Sequence, residues 1–274
     1  MNSRFLLRAA GTLVLTAGLV FAQKPAKQPK AKSQKEVDAI NAISNASEPD
    51  ARIAAAENLL AKFADTEFKA MALQIAAASA QQKNDFEKMV IYSERTIEAD
   101  PQNYPAMLML ANGIAQKTRE FDLDKEEKLQ RAEKYARQSI ELINTAPKPR
   151  PDVTDEQWEG AKKDYLAQAH EALGLAAMVR KKYDVAASEF KASTDIAPAP
   201  DQATMVRLAA AYNLSGKPDD ALPVLDKVMA MPDLNPQIKQ VAQNEKVNAM
   251  KLKSAGAKPG TSPAPPPQVE VKKP

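Results

Sequence analysis

The chain has 274 residues, with 38 Lys plus Arg against 35 Asp plus Glu, no Cys, one His (His170) and 5% aromatic residues. Those totals exclude disulfide scaffolds, thiolate metal sites, Cys nucleophiles and any multi-His zinc site or His relay. Few Gly, β-branched and aromatic residues, beside abundant Ala, Leu, Glu, Lys and Gln, point to helices throughout. Residues 1–35 carry seven basic and no acidic side chains, and residues 251–274 carry five against one. This leaves residues 36–250 with 26 basic and 34 acidic residues, an acidic body between two basic arms.

Met1 to Arg8 holds two Arg, an uncharged apolar stretch follows to Phe21, and Val20-Phe21-Ala22 precedes Gln23. Small residues at −3 and −1 after a short apolar core predict a cleaved secretory signal over 1–22. The run is too short to span about 30 Å of hydrocarbon as a permanent helix. A mature chain starting at Gln23 is then expected in the periplasm or outside the cell. Residues 23–34 (QKPAKQPKAKSQ) have nothing to bury and predict a disordered basic linker. Its lysines, with Lys35, give a second reading, contact with an anionic membrane or cell-wall polymer. At the other end, 254–274 contains six Pro and predicts a disordered, polyproline-like tail.

Between the arms, 35–253 shows apolar residues at helical spacing in blocks of a dozen or more, separated by Asp, Asn, Pro or Gly. Asn84 is placed to cap a helix on which Phe86, Met89, Val90, Ser93 and Ile97 share a face, and Asp100-Pro101 ends it. Phe68 to Ala80 forms another helix before it, making a hairpin. Thr154 to Gln157 is a capping box that opens a helix to about Arg180, longer than its neighbours, on which Trp158 and Tyr165 are candidate interface anchors or pack on an insertion within Lys117 to Gln130. Asn235-Pro236 opens a last helix ending near Lys253.

The hairpin recurs. Leu173-Gly174, Ala177, Tyr183, Ala186, Phe190, Ser193 and Pro198 form one copy, and Leu208-Ala209, Tyr212, Gly216, Ala221, Leu225, Val228 and Pro232 form the next about 35 residues on. The pattern resembles the tetratricopeptide repeat, with poorer copies around Ala77 to Pro101, Leu110 to Ser139 and Val37 to Thr66. The resemblance implies an all-α solenoid of four to five antiparallel hairpins with a C-terminal capping helix. It also implies an inner groove, lined by the first helix of each pair, for an extended peptide or a partner's helix. Carried over by position, the groove residues are Gln74, Gln81, Asn112, Gln116, Arg207 and Asn213. The Lys and Asn clamp for a terminal carboxylate is absent, since Ala78, Leu175 and Ala210 occupy the corresponding sites, so an internal, uncharged segment is the expected ligand.

No motif for chemistry is found. There is no GxGxxG, P-loop, GxSxG or HExxH, and His170-Glu171 stands where a packing or rim residue is expected. The acids at Asp122, Asp124, Glu126 and Glu127 lack EF-hand spacing. Basic pairs on a net acidic body without interleaved aromatics argue against nucleic acid. The expectation is a non-enzymatic adaptor with no metal, cofactor or small-molecule substrate, binding a protein partner in the cell envelope. A tether held by its basic arms is the alternative.

Overall fold

The computed structural model describes residues 29–256. The leader expected over 1–22, the first part of the linker and the tail from 257 lie outside the described residues. Eleven helices follow one another, and no strand occurs among the described residues. They are α1 (Gln34–Asn45) with α2 (Pro49–Lys62), α3 (Lys69–Gln82) with α4 (Phe86–Ala99), and α5 (Tyr104–Lys117) with α6 (Lys125–Thr145). Then come α7 (Asp155–Val179) with α8 (Tyr183–Ile196), α9 (Gln202–Leu214) with α10 (Pro218–Met229), and a last helix α11 (Pro236–Ser254).

Local chemistry explains the boundaries. The Thr154 hydroxyl accepts from the Gln157 amide at 3.2 Å while Gln157 Oε1 accepts from the Thr154 amide at 3.0 Å, closing the capping box. Asn103, Asp201 and Asn235 cap α5, α9 and α11 through their side-chain oxygens. At α4 the cap is Asp85, which accepts from the Lys88 amide at 3.1 Å, one residue beyond the expected Asn84. Asn84 has φ 59° and belongs to the turn. Lys181 (φ 58°) and Gly216 (φ 73°) occupy the same left-handed position after α7 and α9. In each turn the next amide reaches back five residues: Asp85 to Ala80 (2.9 Å), Lys182 to Ala177 (2.9 Å) and Lys217 to Tyr212 (2.8 Å). Three hairpins thus share one Schellman-type reversal.

Helices pack mainly on their chain neighbours, as expected for stacked hairpins. Close approach depends on small residues. A Cβ added at Gly174 would lie 2.6 Å from two ring carbons of Phe190, so the α7–α8 crossing seats that ring directly on the glycine. Beyond nearest neighbours, α5 packs on α7, α9 packs on α11, and α3 touches α5, while no pair of even-numbered helices packs to that extent. The odd-numbered layer is therefore the closer, inner one. Even-numbered helices are linked by longer side chains: the Tyr92 hydroxyl donates to Glu57, and Arg131 pairs with Glu94.

Three expectations are corrected. The fold begins before Lys35: the Lys30 amide donates to Glu67 (2.9 Å), the Lys32 ammonium to the Asp65 carbonyl (2.9 Å), and buried Glu36 accepts from the Lys32 amide and the Thr66 hydroxyl, both at 2.6 Å. Trp158 is buried, with its indole N–H donating to the Ala146 carbonyl at 3.3 Å, and Tyr165 meets Tyr104 edge-on at 5.2 Å. Trp158 therefore ties the start of α7 to the end of α6, Tyr165 ties α7 to the start of α5, and neither is a free anchor. The insertion they were expected to meet is held elsewhere, by Arg180 on Glu126 (2.8 Å) and Glu133 (2.6 Å) and by Lys181 on Glu120 (2.6 Å).

Burial pushes the phenol of Tyr92 up to about 12, helped by its bond to Glu57, and burial with the neighbouring Tyr165 does the same for Tyr104. An unfolded tyrosine ionises near 10. The folded groups hold their protons longer, so their contribution is complete below pH 10 and is lost as pH rises toward 12. Alkaline titration of the helical signal should show a stability decline in that window, shallower in Tyr92→Phe; an unchanged slope contradicts the burial of this phenol.

Candidate partner-binding groove

The inner layer is built from residues that sit once per turn on α3, α5, α7 and α9. Position along each helix follows from sequence register, but what each side chain does depends on the next odd-numbered helix. Four of the six groove residues turn out to be braces between helices. Gln74 on α3 accepts through Oε1 from Asn103 Nδ2 at 3.1 Å, and Asn103 is the residue that caps α5. Asn112 on α5 donates to the Leu108 carbonyl of its own helix and to the Gln168 carbonyl of α7, both at 3.1 Å. Arg207 on α9 donates to Glu171 of α7 at 2.6 Å. Asn213 on α9 is buried and donates to both the carbonyl (3.0 Å) and the carboxylate (2.8 Å) of Glu245 on α11.

Each step of the inner layer, α3 to α5, α5 to α7, α7 to α9 and α9 to α11, thus carries a polar bridge. Asn213 in particular is removed from the groove lining, since α11 covers it. Burial of the Glu245 side chain is tolerated because Asn213 supplies its donor. The partners Asn103, Glu171 and Glu245 were missed in the sequence. For Gln74–Asn103, Glu171–Arg207 and Asn213–Glu245 the separations of 29, 36 and 32 residues approximate one repeat, and that spacing is the signal that could have found them.

Gln81 and Gln116 remain exposed. Both lie in the last turn of their helices, α3 and α5, with exposed Ala78 one turn before Gln81 and Lys117 beside Gln116 at the end of α5. The two side-chain amides offer both donors and acceptors, and Ala78 leaves room for a backbone to approach. On the next helix of the layer, His170 is half-buried with Nδ1 at 2.7 Å from Glu189 of α8, tying α7 to its own partner helix. Among the described residues no group of three or more acidic or His side chains could hold a metal ion, and no helix is long and apolar enough to cross a membrane.

No family model matches the chain, and no curated protein does. Among solved structures it is similar to a thermophilic tetratricopeptide repeat protein of Thermus thermophilus. The two share 14% identity with a TM-score of 0.51, over 78% of this chain and 96% of that one. A likeness at that identity speaks to architecture, and it agrees with the shared left-handed turns and the stacked hairpins. The fold of this chain is the α-solenoid of tetratricopeptide repeat proteins.

Proposed function

We propose that the chain is an exported, non-enzymatic scaffold that holds an uncharged segment of a protein partner on its inner layer, in the bacterial envelope. The observation that carries this reading is the pairing of Gln81 and Gln116, exposed amides at the same end of adjacent inner helices, while the other four groove positions, Gln74, Asn112, Arg207 and Asn213, are engaged between helices. Repeat solenoids present extended surfaces of this kind to peptides and helices. The tether reading is favoured less, because Lys32 of the basic arm is already paired with Asp65. Export rests on the leader and cleavage pattern at Val20-Phe21-Ala22. Expressed with its leader in a bacterium, the protein should be recovered from the periplasm or medium with Gln23 as its first residue. A cytoplasmic protein retaining Met1 overturns the export half.

A further inference from the structure

The connection between α5 and α6 carries the most exposed large apolar side chains among the described residues. Phe121 is 88% exposed and Leu123 fully exposed, so each has almost no contact with its own chain. Yet the loop is firmly built. Asp122, between them, accepts from the Arg119 amide at 3.1 Å and from the Lys128 ammonium at 3.3 Å, and its own amide donates to the Arg119 carbonyl at 3.2 Å. Glu120 pairs with Lys181 at 2.6 Å and Glu126 with Arg180 at 2.8 Å, which pins both flanks of the loop to the turn after α7. The central carboxylate is held against the loop itself while a phenyl ring and an isobutyl group stand in water. Large apolar groups forgo burial there. A loop already ordered loses little entropy on docking.

The same chain holds a place for such a pair. Between α8, α9 and α10 lies a cleft of about 380 Å³, its apolar lining made by Met205, Leu208 and Tyr212 of α9 with Pro223 and Val224 of α10. A cavity of about 150 Å³ admits benzene, so this opening has room for a phenyl ring and a leucine side chain together. Its rim is balanced in charge: Asp195 pairs with Lys191, Asp219 pairs with Lys253 at 2.6 Å, and Asp220 is offset by Lys227. Such a rim selects neither an acidic nor a basic peptide and favours an apolar group. Asp220 and Lys227 form no ion pair among the described residues, and neither do Arg119 and Glu127 beside the exposed pair, so loop and rim offer each other opposite charges.

We infer that Phe121 and Leu123 of one molecule insert into the cleft between α8 and α10 of a second copy. The two surfaces differ, so the contact is head-to-tail: every added molecule leaves one loop and one cleft free, and copies build chains or close into a ring. A second copy is favoured over a bilayer because Glu120, Asp122 and Asp124 alternate with the apolar pair, and a hydrocarbon interior would desolvate them. Two side chains make a contact well below about 1,200 Å², the class of weak and transient interfaces, so association is expected on the order of 0.1–1 mM. The inference rests on neither the proposed groove nor export.

Light scattering of the mature full chain provides the test, with the mean mass at least doubling on concentration to about 1 mM. Phe121→Ser with Leu123→Ser removes the apolar pair, and Pro223→Arg places a charge at an exposed position in the cleft mouth. Each variant should keep the parent's helical signal and remain a single copy at the top concentration. Thr194→Arg, on the α8 wall, should act as Pro223→Arg does. An equal mixture of the loop variant and a cleft variant should give a heterodimer and nothing larger, since one supplies only a cleft and the other only a loop. The inference is overturned if the parent stays a single copy throughout, if a folded variant assembles as the parent does, or if the mixture forms no heterodimer. It is also overturned if the loop variant loses only binding to phosphatidylglycerol vesicles while its self-association is unchanged.

Discussion

Replacing Phe190 with Ala should cost about 3–5 kcal/mol, the range for emptying a fully buried aromatic site. Phe190 is 0% exposed, and its ring lies on Gly174 of the facing helix, so the cavity opens at the centre of the α7–α8 crossing where neither backbone can close it. At about 2–4 °C per kcal/mol for a chain of this size, the melting midpoint should drop by roughly 6–20 °C. The converse change separates packing from helix propensity. Gly174→Ala gains up to about 1 kcal/mol of propensity. It also drives a methyl into the ring, and overpacking costs about 1–3 kcal/mol, so the net effect should be destabilising. Gly160 lies on the same helix with nothing within 4 Å of an added Cβ, and Gly160→Ala should stabilise by about 0.5–1 kcal/mol. Opposite signs for the two glycines in chemical denaturation support the crossing; equal signs contradict it.

The second large effect belongs to the pair that seats the last helix. Asn213→Ala should cost about 2–3 kcal/mol, because it strips the amide donor from the buried carboxylate and carbonyl of Glu245. Glu245→Gln keeps an acceptor oxygen and removes the charge, so it should cost less. Replacing both, Asn213→Leu with Glu245→Met, should recover most of the loss, since exchanging a polar pair for apolar side chains of similar size can be nearly neutral. A double-mutant cycle measures the coupling, and hydrogen exchange should locate the loosening in α11. Exchange that rises evenly along the chain in Asn213→Ala would show that this pair does not act locally on the cap.

Much of the fold was legible because helix hairpins are written in local signals. The apolar residues of α4, α8 and α10 recur every three or four positions, Thr154 and Asn235 announce helix starts, and Leu173-Gly174 and Leu208-Ala209 repeat at about 35 residues. The cap of α4 was misplaced by one residue because a left-handed turn needs a residue that tolerates positive φ. Asn84 takes that place and leaves capping to Asp85. The start of the fold was missed because the contacts that order Lys30 and Lys32 come from Asp65 and Glu67, more than thirty residues away. The groove was legible only in part for the same reason. Register places Asn112, Arg207 and Asn213 on the inner helices, but whether such a side chain faces solvent or the next helix depends on the stagger between repeats, which no single helix encodes. Trp158 illustrates the opposite bias: a large aromatic in a polar stretch suggests an exposed anchor, yet its indole found a carbonyl in the loop after α6.

The inner layer as the partner-binding face is the central claim, and photocrosslinking by position tests it most directly. Probes replace Gln81 and Gln116 on the inner layer in one set of mature proteins, and exposed Ser188 on α8 and Lys134 on α6 in another. Each is irradiated in envelope fractions of the cells that produce the protein. The account predicts the same discrete protein adduct from positions 81 and 116 and none from 188 and 134, with the adduct lost when Gln81→Lys is introduced beside the probe at 116. Adducts confined to 188 and 134, or capture of glycan or lipid without protein at 81 and 116, would contradict it.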